Sequence, residues 1–400
     1  MKDRVNGIRI RRELSGKAGG DRQQGGMAFR FLHTADWQIG KPFGNVPGDA
    51  GAELRGRRIA TIGEIARLAA ERNVDAVLVA GDAFDSNEVQ DRTILRTLDA
   101  LKPFSGRWIF LPGNHDAALA HSVWSRLRQM GPEENIIIAD RPQLIEGWEG
   151  RAVILPAPLT RRRESLDQTE WFDAAVTPEG AIRIGLAHGS VANRLPGAAE
   201  ASNEIPDDRA RTAGLAYLAL GDWHGSLQIA PRTWYSGTPE TDRHRANRSG
   251  FVHIVEIDGP DAPERVELVP TSHYQWHQVE AEMLDGTCNA GLDALAELEA
   301  DAARRVVSLT LKGGISLAER YQLGIELEKW RNRFHHLDID DAGLFEEPTD
   351  DDLDALDSSG FVRLAVERLK VLAAGDADPQ AAAARVALRM MYVDHMNGGR

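Results

Sequence analysis

The chain is poor in several things. One cysteine, Cys288, occurs in 400 residues. That excludes an internal disulfide framework and suits a reducing compartment, with Cys288 read as a small hydrophobe rather than a nucleophile. No apolar run approaches the roughly 20 residues that a bilayer span needs, so no membrane partner is expected. Positive charge is scarce: 47 Lys and Arg against 61 Asp and Glu leave a formal net charge of −14. A non-specific nucleic-acid coat is thereby excluded, although a metal centre can still supply local positive charge to a phosphate. Residues 1–26 are basic, polar and Gly-rich and lack the apolar core of a signal peptide; they read as a disordered leader. The expected setting is cytoplasmic.

What is present is an alternation of short apolar runs and amphipathic stretches. FRFLH (29–33), AVLVA (76–80) and WIFL (108–111) read as buried strands. Between them, 53–73 places Ile59, Ile62, Ala66 and Ala69 on one helical face, and 88–101 places Ile94, Leu98 and Leu101. Further strands are expected at 136–139, 151–157, 182–187, 216–220, 233–237, 251–257 and 265–270, with fewer helices between them. An α/β fold with a two-sheet β-sandwich flanked by helices accounts for this rhythm over residues 27–270. A β-α-β-α order follows, with strands at 277–283 and 305–311 and helices at 292–302 and 317–334. It suggests a small α+β module over 271–345. The acidic stretch 338–357 reads as a solvated linker, and residues 346–400 as linker plus C-terminal helices.

Five predicted strand ends carry chemistry. They present Asp36 and Gln38, then Asp82, then Asn114, His115 and Asp116, then His188, then Asp222 and His224. Side chains just beyond the carboxyl ends of strands in an open sheet share one crevice, so these distant residues are expected to converge. A carboxylate, amide and imidazole set without thiolate suits Mn, Fe, Zn or Mg. It holds too many donors for one ion. Two ions roughly 3.5–4 Å apart, a clamp suited to phosphoryl chemistry, are the natural occupants. Each motif alone is weak, since a carboxylate at a strand end commonly caps a turn; GNHD and the ordered series are specific.

The series HTADWQIGKPF, GDAFD, LPGNHD, the HG at 188–189, GD-W-H and YSGTPE (235–240) resembles the calcineurin-like metallophosphoesterase superfamily, and within it the SbcD-type DNA repair exonuclease branch. The likeness covers about residues 27–270, and the module at 271–345 resembles that branch's capping domain in order and length. It implies a nuclease with two divalent ions, Mn first. Asp82 would bridge them. Asp36, Gln38 and His224 would hold one ion, and Asn114, His188 and Asp222 the other. His115 would stay unligated near the phosphate as acid or transition-state stabiliser, with Asp116 orienting it. It also implies DNA as substrate and an SMC/AAA-like coiled-coil ATPase subunit as partner, docked on the final helices; Leu364, Leu369, Val386, Met390 and Val393 there supply apolar surface that serves such docking and packing within the chain equally well. A second copy of the chain is a further candidate partner.

Two positions depart from that pattern, which expects histidine where this chain has Gln38 and, usually, where it has Asp222. The exchange makes the centre richer in carboxylate, so cations bind more tightly but act as poorer Lewis acids. The expectation is a retuned dinuclear site favouring Mn or Fe; a decayed site holding one ion or none is the alternative. Trp37 and Trp223 beside the ligands are candidates for stacking on a base, with packing in the wall of the site as the equal alternative. Arg161, Arg162 and Arg163 are candidates for gripping a DNA backbone, with a solvated charge cluster as the alternative. A phosphatase or small-molecule phosphodiesterase on the same scaffold, and a non-catalytic DNA-end-binding subunit, remain open alternatives.

Overall fold

The apolar runs at 76–79, 108–110 and 152–157 become strands buried on both faces, because helices or a second sheet cover each side, while the run at 136–138 is only half-buried. In the computed structural model the described residues are 28–192, 194, 203–244, 247–283, 289–315, 317–346, 360–374 and 379–398. The leader, Cys288 and the acidic residues 347–357 lie outside them. The first sheet contains β1 (Phe29–Thr34), β2 (Ala76–Val79), β3 (Arg107–Phe110), β4 (Ile136–Ile138), β11 (Phe251–Ile257) and β12 (Arg265–Pro270), in the order β12-β11-β1-β2-β3-β4. The second contains β5 (Ile145–Gly147), β6 (Ala152–Ala157), β7 (Ile182–His188), β8 (Tyr217–Gly221), β9 (Leu227–Ala230) and β10 (Thr233–Tyr235), in the order β5-β6-β7-β8-β10-β9. The expected α/β sandwich is present: two mixed sheets, flanked by helices.

Alternation along each strand divides the core into layers. Phe29, Phe31, Ala76, Leu78 and Ile109 face Ile154, Ile184, Leu186, Tyr217 and Ala219 between the sheets. Leu32, Val77, Val79, Trp108 and Phe110 point the other way. They meet α1 (Gly48–Glu71), α2 (Asp91–Leu101) and α3 (Val123–Gln129) through Ile62, Ile65, Ile94 and Leu127. Val153, Leu155, Leu218 and Leu220 build the outer layer of the second sheet, with Phe172 and α4 (Arg209–Thr212). Parallel pairing of β1, β2 and β3, and of β6, β7 and β8, sets the carboxyl ends of each group side by side.

A third sheet, β13-β14-β15, is all parallel: β13 (Gln275–Met283), β14 (Arg305–Ile315) and β15 (His336–Glu346). α5 (Asn289–Ala296) and α6 (Leu317–Arg331) supply its crossovers. The start of the expected acidic linker, 338–346, is thus part of β15. Leu337 and Ile339 enter the apolar layer while Asp338 and Asp340 remain exposed, the alternation of a half-buried strand. The helix expected at 292–302 stops at Ala296, and a turn of 3-10 helix follows at Ala302–Arg304. Two helices, α7 (Gly360–Ala373) and α8 (Pro379–Gly398), pack on each other through Val366 and Leu388. Phe361, Leu364, Val371 and Met390 stay exposed on them, and the side chain of Val393 is outside the described set.

Candidate metal centre

The turns after β1, β2, β3, β7 and β8 meet at one end of the sandwich. Two of them are zipped together by backbone: Asp36 N–H donates to Gly81 O, Gln38 N–H to Asp82 O, and Ile39 N–H to Ala83 O. Asp36, Gln38, Asp82 and Asp222 all have positive φ, at 52°, 42°, 53° and 100°. Such a conformation costs a non-glycine residue about 1–3 kcal/mol and concentrates where function demands it. Gly113 shows how tight the space is, since a Cβ there would stand 2.2 Å from Asp82 Oδ1.

Among the described residues, one group of donors is close enough for a shared ion: Asp36, Asp82 and His188, whose ligand atoms lie within 4.8 Å of one another. Asp222 and Asn114 border it. The Asp222 amide donates to Asp36 Oδ1 at 3.1 Å, and Asn114 Nδ2 donates to Asp222 Oδ1 at 3.4 Å. Ser190, which sequence reasoning missed, donates to Asp222 Oδ2 at 2.9 Å. On the far side Gln38 Nε2 and His224 Nε2 are 3.2 Å apart. All the candidate ligands are therefore gathered, although only three meet the distance test for one shared ion.

The donors fit a cation. His188 Nδ1 lies 2.8 Å from Ala80 O, so it carries the proton and turns Nε2 inward as a lone pair. That nitrogen is buried without a partner, 3.5 Å from Asp82 Oδ1 and 3.8 Å from Asp222 Oδ1. Asn114 Oδ1 is likewise buried and unpartnered. Burial disfavours a charge on His188, yet Asp82, Asp36 and Asp222 push its pKa up to about 9. Burial, with Asp82 and Asp222 adding to it, raises Asp36 to about 6 against the pull of His224 and His188. A cluster that holds a proton this firmly is one a divalent ion would occupy in the proton's place.

His115 and Asp116 have separate tasks. His115 Nδ1 donates to Asp85 O at 2.9 Å, which fixes the ring and leaves Nε2 free; its amide donates to Asp82 Oδ1 at 3.0 Å. The orienting group is thus the Asp85 carbonyl, which no sequence signal singled out. Asp116, expected to orient His115, instead accepts from the amides of Gly113 and Phe84 at 2.7 and 3.0 Å. It clips two turns together, and burial and Asp82 push its pKa up to about 8.

Trp37 is a correction to the expected stacking role. It is 1% exposed, donates Nε1–H to Thr34 Oγ1 and packs edge-on against Trp108 and Phe110. It forms the wall of the centre and offers no face to a base. Trp223 also belongs to the buried outer layer of the second sheet. Arg161, Arg162 and Arg163 are exposed on the loop after β6.

A buried ionic layer beneath the centre carried no sequence signal we read. Arg58 on α1 is 2% exposed. Its guanidinium donates to Trp37 O, Asp36 O, Glu240 O and Thr238 Oγ1, stitching the first turn to the segment after β10. Asp242 in that segment pairs with Lys41 and Arg58. Burial opposes its charge, but His224, Arg58 and Lys41 hold its carboxyl well below the usual range.

The model of the calcineurin-like phosphoesterase family matches residues 29–211. Among curated proteins it is similar to the D subunit of the nuclease SbcCD from Rhodobacter capsulatus, at 29% identity over 292 residues, covering 60% of this chain and 69% of that protein. It is also similar to the corresponding SbcCD nuclease component of Bacillus subtilis, at 31% over 92 residues, or 22% of each chain. Among solved structures, a dimetal phosphatase from Danio rerio aligns over 62% of this chain and all of its own at 13% identity and a TM-score of 0.38.

Proposed function

We propose that this chain is a metal-dependent phosphodiesterase that cuts DNA, working with a coiled-coil ATPase subunit. The observation that carries the hydrolytic part is the unpartnered Nε2 of His188 aimed at Asp82 and Asp222. Such a set fits a divalent cation and little else. The choice of a nucleic acid rests on the two relatives named as SbcCD nuclease subunits, and that of DNA on the resemblance carried by the motifs.

The protein's own contribution is positioning. Asp36, Gln38, Asp82, Asn114, His188, Asp222 and His224 would hold two ions, Mn favoured, and these supply Lewis acidity and charge neutralisation for the phosphoryl group. His115, held by the Asp85 carbonyl, keeps Nε2 available. When protonated it can donate to the leaving oxygen of the diester. Arg161, Arg162 and Arg163 would steady the backbone of the strand beyond the scissile bond; replacing all three should flatten the salt dependence of DNA binding, and an unchanged slope would refute the role. The exposed apolar side chains Phe361, Leu364, Val371 and Met390 on the last two helices favour docking of a partner helix.

The test is a matrix of single-stranded DNA, double-stranded DNA and a generic activated diester, each with Mn, Mg, Fe or Zn, run with wild type and His115→Ala. DNA cleavage with Mn, abolished by His115→Ala, is the expected result. Rapid cleavage of the generic diester with DNA untouched would make this a small-molecule phosphodiesterase. Activity indifferent to His115→Ala would leave a binding subunit.

A further inference from the structure

Five consecutive residues, Glu240–His244 in the sequence ETDRH, touch both the centre and the third sheet. At one end the buried Glu240 carboxylate accepts from the amides of His273 and Tyr274, at 3.0 and 2.9 Å, and from Ser272 Oγ at 3.2 Å. These are the residues just before β13. The same carboxylate accepts from Thr61 Oγ1 on α1 at 2.8 Å. At the other end His244 packs edge-on against Trp276 of β13, with ring centroids 4.9 Å apart. Between them Asp242 and Arg243 reach His224. Arg243 Nη2 is 2.9 Å from His224 Nδ1, and Asp242 Oδ1 is 3.7 Å from the same nitrogen. Arg243 Nε in turn donates to Asp242 Oδ1 at 3.1 Å.

The two groups ask opposite things of the ring. A guanidinium only donates, so with Arg243 on Nδ1 the ring proton sits on Nε2, facing Gln38. A carboxylate only accepts, so with Asp242 on Nδ1 the proton moves there and Nε2 is freed as a ligand. At 2.9 Å Arg243 holds Nδ1, while Asp242 at 3.7 Å lies just outside hydrogen-bonding reach, so a backbone shift of under about 1 Å exchanges the two, and that backbone is clamped by Glu240 to the residues leading into β13.

We infer that Glu240–His244 is a strap that couples the seating of the third sheet to the orientation of His224, with Asp242 and Arg243 as positioning residues and Glu240 as the clamp. The inference rests on the metal-centre reading above. A load on the third sheet, from DNA or from a partner protein, would reach one half of the centre through this strap and leave the His188 half unaffected.

Three variants of the full chain test it: Asp242→Asn, Glu240→Gln and the milder Ser272→Ala, with Arg72→Ala, at an exposed ion pair to Glu267, as control. Three quantities are read: Mn2+ affinity by calorimetry, amide exchange at His273 and Tyr274, and the 15N shifts of His224, which report its tautomer. Asp242→Asn should weaken Mn2+ binding about 10–100-fold and hold His224 in the Nε2–H form when Mn2+ is added. Glu240→Gln should speed exchange at both amides and weaken Mn2+ at least about threefold, although it touches no ligand. Ser272→Ala should do both to a smaller degree, and it decides the matter alone if Glu240→Gln does not fold. Arg72→Ala should change neither. Faster exchange with unchanged Mn2+ affinity, or an Asp242→Asn chain that binds Mn2+ like wild type, overturns the strap. Wild type that takes up no Mn2+ overturns the metal reading and the strap with it.

Discussion

Two groups of buried imidazoles sit in the same sandwich and meet opposite fates. His33 and His253 lie edge to face on neighbouring strands β1 and β11, with ring centroids 5.6 Å apart. His33 reaches Tyr217 Oη at 3.1 Å and Leu220 O at 3.2 Å, and His253 Nε2 reaches Ser226 Oγ at 2.7 Å. Burial holds both pKa values down, His253 to about 3. His188 is as deeply buried, yet its pKa is pushed up to about 9. An unpartnered nitrogen does not distinguish them, because His253 Nδ1 is also without a partner. The difference is charge: three carboxylates surround His188, while His33 and His253 have each other, Arg248 and hydroxyls. The core pair is built to stay neutral. The site imidazole is built to face a cation.

The largest effect that would sharpen this contrast is catalytic. His115→Ala should lower kcat about 10²–10⁴-fold while bound metal, measured by elemental analysis, stays at the wild-type level. Next, His188→Ala should weaken Mn2+ binding at least about 100-fold, more than a change one shell further out would. By contrast, His33→Ala should leave Mn2+ affinity alone and cost about 1–3 kcal/mol in a urea titration, through the unpaired Tyr217 hydroxyl. Equal effects of the two substitutions on metal binding would break the comparison.

The core pair also predicts a pH dependence. A histidine whose folded pKa lies below its unfolded value near 6.5 contributes stability that is complete above that value and lost as pH falls, because the unfolded chain then binds the extra proton. Asp36 and Asp116, whose raised pKa values act in the opposite sense, cancel when wild type is compared with His253→Gln; that stability difference, measured by urea titration, should fall between pH 6.5 and about 3, where His253 titrates in the fold. The slope approaches ~1.4 kcal/mol per pH unit for each histidine. The smallest expected effect is at Gln38. Gln38→His restores an imidazole to the weaker half of the centre and should raise Mn2+ affinity by a few-fold, with no change in the urea midpoint of metal-free protein.

The candidate donors stand out in the sequence because most follow the same local pattern: an apolar run, a small residue, then a carboxylate, amide or imidazole. Strand ends carry that pattern wherever a sheet presents a crevice. The ionic layer below was not legible. Arg58 sits in a run of basic helix residues that reads as solvent-facing, and its burial follows from the turns packed over it rather than from its neighbours in sequence. Asp242 and Glu240 are polar residues in a loop whose partners lie some 180–200 positions earlier or some 30 later. β15 was missed for a different reason. It is an edge strand of the third sheet, and its exposed face is so acidic that charge masked the alternation of Leu337 and Ile339 with Asp338 and Asp340.

What the carboxylate-lined pocket holds decides between a working centre and a relic of one. Elemental analysis of protein purified without chelator is the direct measurement. About two divalent ions per chain, with manganese prominent, is the predicted result. Fewer than about one ion per chain would contradict it.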